Sequence, residues 1–160
     1  VLVLFMVGLQ VTPDWNLLPL LVLALAAEAC MAAALGLILS ATNVYLRDTR
    51  HLIDIALQVW FFMCPIVYSF WMEIRPKLAP HGLTFLYLLN PMTPIILTSQ
   101  RVIYAHPTVT EGTNQVQILP TWGWTTYAWM DAALLGAGLV LIWVALVLFR
   151  RLEGNFAEEL

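Results

Sequence analysis

The sequence predicts an all-α integral membrane protein, a bundle of transmembrane helices with a pair of short re-entrant helices before the last span. Three observations predict it. Hydrophobic residues make up 61% of the 160-residue chain and charged residues 11%, about half the charge a soluble domain carries. The apolar residues gather in blocks long enough to cross a hydrocarbon core of about 30 Å. Between the last two blocks lie two apolar pieces too short to cross. The net charge of -3, with seven lysines and arginines, leaves no electrostatic basis for nucleic-acid binding.

The elements follow in order. The chain opens on Val1 inside an apolar run ending near Val11; the run is too short to span and reads as the tail of a severed span of a longer protein. Pro13, Asp14 and Asn16 form a tight turn, so this run and the next block are expected to be antiparallel. The second span is expected over residues 17–39, roughly 34 Å of helix. Pro19 sits in its first turn, where proline costs little. Ala29 with Ala33 and Ala32 with Gly36 recur at four-residue spacing, which lets a second helix approach closely. Glu28 falls in the middle of this span. A carboxylate there costs about 2.5 kcal/mol or more, so it is expected to face the bundle interior, to be protonated or to pair, serving transport or acting as a neutral hydrogen-bond donor between helices.

A polar segment, residues 40–52, comes next. On a helix Asn43, Arg47, Arg50 and Asp54 share one face, Arg50 and Asp54 sit one turn apart, and Asp48 and His51 flank them. Two readings stay open at this point: a solvated turn whose arginines fix topology, or a polar helix that docks on a cytoplasmic partner. The third span is expected over 53–71, kinked at Pro65. Its aromatics Trp60, Phe61, Phe62, Tyr68, Phe70 and Trp71 occupy more than one face, and aromatic faces can stack on sugar rings.

The re-entrant helices are expected within 78–104, on the pieces Leu83 to Leu89 and Ile95 to Tyr104. Asn90-Pro91-Met92-Thr93-Pro94 separates them, with Thr93 suited to cap a helix and Pro94 to begin one. Backbone broken at membrane depth survives only where protein or water satisfies it. Residues 106–120 are polar and turn-rich, and the fourth span is expected over 125–149. Trp122, Trp124, Tyr127 and Trp129 mark one membrane interface and Arg150 and Arg151 the other. Asp131, in the outer third of this span, is expected to face the gate region or water. By the distribution of basic residues, Arg47, Arg50, Arg150 and Arg151 belong in the cytoplasm, with Arg75, Lys77 and Arg101 on the opposite side.

The sequence has no Walker A, HExxH or GxSxG motif, so no catalytic residue is expected, and if the chain transports actively the ATPase must be another polypeptide. Cys30 and Cys64 lie in apolar blocks; they read as packing residues, and no metal site is expected.

Four segments carry a family resemblance: GLILSATNVYLRDTRHL, LQVWFFMCPIVYS, LYLLNPMTPII and FRRLEGNFAEEL. In this order they resemble ABC-2 type permeases that export polysaccharides and polyol phosphates, such as O-antigen, capsule and teichoic-acid polymers. The resemblance covers nearly the whole chain. It implies the C-terminal part of a six-span permease subunit in a bacterial inner or plasma membrane, with its C-terminus in the cytoplasm. It further implies a homodimer, a separate ABC ATPase subunit that holds ATP and magnesium, and a lipid-linked glycan as substrate. Asn43, Arg47, Asp48, Arg50 and His51 would then face the ATPase. Trp60, Phe61, Phe62 and Tyr68 would lie near the translocation path, and Asn90, Pro91, Thr93 and Pro94 would form the periplasmic gate. Glu28 departs from the family, which usually carries an apolar or small residue there. The competing readings are an ABC-2 permease for a drug or lipid, and a membrane-embedded transferase. The transferase would need an intramembrane cluster of His, Asp or Glu; Glu28, Asp54 and Asp131 are scattered in depth.

Overall fold

The computed structural model describes residues 13–45, 49–104, 108–111 and 114–159. The expected partial span over residues 1–11 lies outside them. Asp14 anchors the described N-terminus: its carboxylate accepts from the Asn16 amide (3.3 Å) and its own amide donates to the Val102 carbonyl (3.0 Å). A 3-10 turn, Trp15–Leu17, leads into helix α1, Leu18–Tyr45. The last helix of the chain, α6, runs Trp124–Glu159.

Both helices hold stretches long and apolar enough to cross a membrane, Trp15–Ala41 and Trp124–Arg150, with mean hydropathy 2.3 and 2.7 at their most apolar. Only 22% and 11% of their most apolar 18 residues are buried within the protein. The core helix of a soluble domain would be covered instead. Val22, Trp129 and Trp143 are each about two-thirds or more exposed, an apolar exterior that suits lipid and not water.

α1 and α6 pack side by side and run parallel. Leu20 shares a cluster with Tyr127, Ala24 and Ala27 pack with Leu134 and Leu135, and Gly138 meets Cys30 and Met31. Contacts that advance together along both chains mean that Tyr45 and Arg150 lie towards the same end. The buried stripe of α1 is Leu20, Ala24, Ala27, Met31 and Ala34, a three- and four-residue recurrence that defines one helical face. Ala29 and Ala33, expected to admit a neighbouring helix, lie off that stripe and are exposed. The close approach is made by Gly138, where a Cβ would lie 3.0 Å from the Cys30 Cβ and 3.3 Å from the Met31 nitrogen.

The expected kinked helix over 53–71 is instead a helix that stops. α2 runs Thr49–Met63, about 22 Å and short of a full crossing. Pro65 has no N–H to continue the ladder, and its ring disfavours the helical region at Cys64. The chain resumes as a π turn, Phe70–Ile74, with the Ser69 hydroxyl accepting from the Met72 amide (3.3 Å). It passes directly into α3, Arg75–Leu78, and a 3-10 turn that ends at Gly82, whose φ of 67° favours glycine. Two further helices coincide with the two short apolar pieces: α4, Thr84–Leu88, and α5, Met92–Ile103. α5 runs antiparallel to α1, with Ile95 against Ala24 and Ala27, and Val102 beside Leu20. Its Met92 end therefore abuts the middle of α1.

The remaining element is a hairpin that the turn-rich reading of residues 106–120 did not contain. Strands β1, Thr108–Glu111, and β2, Asn114–Gln117, pair antiparallel with Thr108 opposite Gln117. Thr108, Val109, Thr110 and Val116 are β-branched and favour strand.

Tyr127, expected at an interface, belongs to the core. It is 1% exposed and its hydroxyl donates to the Pro120 carbonyl (2.9 Å). Phe70 ties the same cluster together, stacked on Tyr87 at 5.5 Å and edge-on to Trp122 at 6.3 Å.

Candidate functional site

Stopping α2 at Pro65 frees a run of carbonyls, and each finds a donor. The Phe61 carbonyl accepts from the Cys64 amide (3.1 Å), and that of Cys64 from the Ile66 amide (2.8 Å). The other three are met by side chains: Phe62 by the Tyr68 hydroxyl (2.8 Å), Met63 by the Asn90 amide (3.4 Å) and Pro65 by the Gln100 amide (3.2 Å). Backbone polar groups that lose their ladder away from water are costly unless re-paired. Two of the three side-chain donors come from beyond the break, one from the turn before α5 and one from α5 itself.

Asn90 is the hub of this junction. Its Oδ1 accepts from the Trp60 indole N–H (2.9 Å) and from the Met92 amide (3.2 Å), while its Nδ2 reaches the Met63 carbonyl and, at 3.7 Å, the Cys64 sulfur. It therefore takes the helix-start role that the sequence reading gave to Thr93. α5 begins at Met92, one residue earlier, so Thr93 is already inside the helix and is buried with its hydroxyl unpartnered among the described residues. Pro91 occupies the capping position and Pro94 is buried in the first turn of α5. A second link joins Tyr68 to Tyr87 at 2.9 Å. Since the Tyr68 hydroxyl donates to Phe62, the Tyr87 hydroxyl donates to Tyr68.

Beside the junction lies an open-sided groove of about 670 Å³ walled by α1, α2 and α5. Trp60, Phe61 and Cys64 line it from α2 and the break, Ile95 and Gln100 from α5, and Glu28 from α1. Ala32 and Gly36, expected at a helix contact, also open onto it. Glu28 is exposed here and sits at the midpoint of the Trp15–Ala41 stretch.

The structure thus brings together Glu28, Trp60, Phe61 and Asn90. Phe62 and Tyr68 do not line the groove; Phe62 is 60% exposed and Tyr68 is engaged at the break. Asp131 does not face water. It is fully buried, neither oxygen has a hydrogen-bond partner among the described residues, and the Thr98 hydroxyl of α5 lies beside it without making a bond of good geometry. In the polar segment, Arg47 and Asp48 lie outside the described residues. Asn43 and Arg50 sit on the helical backbones of α1 and α2, their side chains outside the described ones, and His51 is exposed on α2. The sequence reading missed Gln100 and Tyr87. The amide of Gln100 inside an apolar piece was the available signal; nothing pointed to the carbonyl it serves.

The described residues define a helical membrane protein in which two long apolar helices pack in parallel and a third helix breaks beside a groove. Among known proteins, the chain is similar to the O-antigen export system permease protein RfbA of Myxococcus xanthus, with 29% identity over 150 residues, 92% of this chain and 48% of that protein. The chain spans about half the length of that curated relative. The similarity supports the resemblance to ABC-2 type permeases of polysaccharide export. No family model matches, and no solved structure matches.

Proposed function

We propose that the chain is part of the permease subunit of an ABC exporter that moves a lipid-linked polysaccharide or polyol phosphate polymer across the bacterial inner or plasma membrane. ATP is hydrolysed on a separate subunit, and two permease copies form the path. The observation that carries this reading is the break after α2. A helix that stops at Pro65, level with the middle of a span-length helix, has its freed carbonyls closed by Tyr68, Asn90 and Gln100. That is the form broken backbone must take at membrane depth. α4 and α5 are then the re-entrant pair of the outer gate, hinged at Asn90 and Pro91, and the groove with Trp60 and Phe61 belongs to the path.

The parallel run of α1 and α6 supports the orientation. It sets Tyr45, the end of α1, and Arg150 at one end, and the basic residues in the flanking sequence favour the cytoplasm for that end. Asn43, Arg47, Asp48, Arg50 and His51 are then presented to the ATPase. The similarity to an O-antigen export permease favours a glycan over a drug as cargo, and a transporter subunit over an enzyme. The test is co-purification of the full-length subunit with its ATPase, followed by ATP turnover with and without a polyprenyl-diphosphate-linked polysaccharide. Stimulation is expected; a stable complex indifferent to every glycolipid tried would overturn the reading.

A further inference from the structure

The contact between α5 and α6 holds the one buried acid among the described residues. Asp131 is 0% exposed, and neither carboxyl oxygen has a hydrogen-bond partner among those residues. The enclosure is complete within the described chain, so any further segment could reach either oxygen only by parting α5 from α6. The layers on either side are occupied. Towards one end, Ile95, Ala24 and Ala27 cluster with Leu134 and Leu135. Towards the other, the Tyr127 hydroxyl, one turn before Asp131, is spent on the Pro120 carbonyl. Arg101 of α5 bears on Tyr127 and not on Asp131. The group beside the carboxyl is the Thr98 hydroxyl, itself enclosed and without a partner among the described residues. An ionised carboxylate only accepts, through two oxygens with room for several donors, and this site offers a single hydroxyl. A charge so enclosed and so poorly met is far costlier than a neutral polar group, and an acid in that position keeps its proton. The neutral acid is then a donor, and the Thr98 oxygen is the acceptor next to it.

We propose that Asp131 stands in the last span as a neutral acid and pins α5 to α6 by donating its carboxyl proton to the Thr98 hydroxyl oxygen. The pin completes the fastening of α5. Its start is tied to the broken end of α2 through Asn90, and its end to the start of α1 by the Asp14 amide on the Val102 carbonyl (3.0 Å). Thr98 holds the stretch between these ties. A movement that lifts α5 from α6 therefore has to break this bond. On the exporter reading α5 belongs to the outer gate, and the pin holds that gate against the last span. The bond itself does not depend on that reading, because no cargo reaches an enclosed Asp131.

The test is infrared spectroscopy of the full-length protein in nanodiscs at neutral pH, with aspartate isotopically labelled at its side-chain carboxyl carbon. A protonated carboxyl shows a carbonyl stretch that an ionised one lacks. The native protein is expected to show such a band, shifted by the label and absent from Asp131→Asn, a near-isosteric change that keeps a neutral donor. Thr98→Val, which removes the acceptor and keeps the shape, is expected to move the band to higher frequency. No labelled band, or a band that survives in Asp131→Asn, overturns the neutral acid; the first is the outcome if a basic residue from elsewhere in the assembly pairs with Asp131. A band unmoved by Thr98→Val overturns the pin. A second measurement does not need the spectrum. In a double-mutant cycle of Asp131→Leu and Thr98→Val, read by unfolding in mixed micelles, the coupling is expected to be about threefold in the unfolding equilibrium constant. Strictly additive changes overturn the bond between the two helices. Each of these results leaves the exporter reading as it was.

Discussion

If Asn90 joins the broken end of α2 to the start of α5, its contribution should be measurable and specifically coupled to Trp60. Its side chain makes two short bonds in partly buried surroundings, to the Trp60 indole at 2.9 Å and the Met92 amide at 3.2 Å, and a longer, more exposed one to the Met63 carbonyl at 3.4 Å. A net hydrogen bond is worth about 1 kcal/mol, and polar interactions between membrane helices average nearer 0.6. Asn90→Ala should therefore cost about 2 kcal/mol, most of it from the two short bonds and from leaving the indole N–H facing an apolar groove. Trp60→Phe removes the same N–H while keeping an aromatic ring. In a double-mutant cycle the cost of the smaller ring cancels, leaving a coupling of about 0.6 to 1 kcal/mol between the two positions. The assay is reversible unfolding of the full-length protein in mixed micelles with increasing denaturing detergent. Additive losses, with coupling below about 0.3 kcal/mol, would refute the junction.

Other predictions follow from neighbouring features. Gly138→Ala places a Cβ 3.0 Å from the Cys30 Cβ and 3.3 Å from backbone that cannot yield, so it should cost about 1–3 kcal/mol in the same unfolding assay. Gly136→Ala, with open space around it, should be neutral or slightly stabilising. Gln100→Leu orphans the Pro65 carbonyl and should cost about 1–2 kcal/mol, whereas Gln100→Glu, which cannot donate when ionised, should cost at least as much. In export of a lipid-linked glycan from cells, Phe61→Ala should reduce the rate several-fold more than Phe62→Ala, because only Phe61 lines the groove; equal effects would mean that both act through stability. Arg47→Glu should lower export while membrane insertion, read by fractionation, is unchanged; normal export in that variant would remove the polar segment from the coupling to the ATPase.

The two long helices were legible in the sequence because a single property, apolar length, decides them. Of the expected span 17–39, all but Leu17, which closes the 3-10 turn, falls within α1, and 125–149 falls within α6. Pro65 was legible as a disturbance but not as an end. Whether proline bends or stops a helix depends on what receives the freed carbonyls, and here the receivers lie far along the chain, at Asn90 and Gln100. The same dependence explains Thr93 and Ala29. Thr93 has the chemistry of a cap, but Asn90 sits three residues earlier and accepts from the Met92 amide. Ala29 has the right spacing for close packing, but α6 lies against the Ala24–Ala27–Ala34 face. Spacing says that a face exists, not which face a neighbour takes.

Glu28 and Asp131 show why depth alone does not assign a role to a charge. Both were read as acids within spans. Asp131 is fully enclosed where α5 packs on α6, next to Thr98 and inaccessible to a passing solute. Glu28 is nearer the middle of its span, where a carboxylate is costlier to hold, yet it stands open on the groove wall. An enclosed acid acts only on its immediate neighbours, so altering Asp131 should change how α5 sits on α6. An exposed acid at mid-span is within reach of whatever lies in the groove, since among the described residues none covers it. Of the two positions, the costlier is therefore the one open to the groove, and the cheaper is the one enclosed against α5.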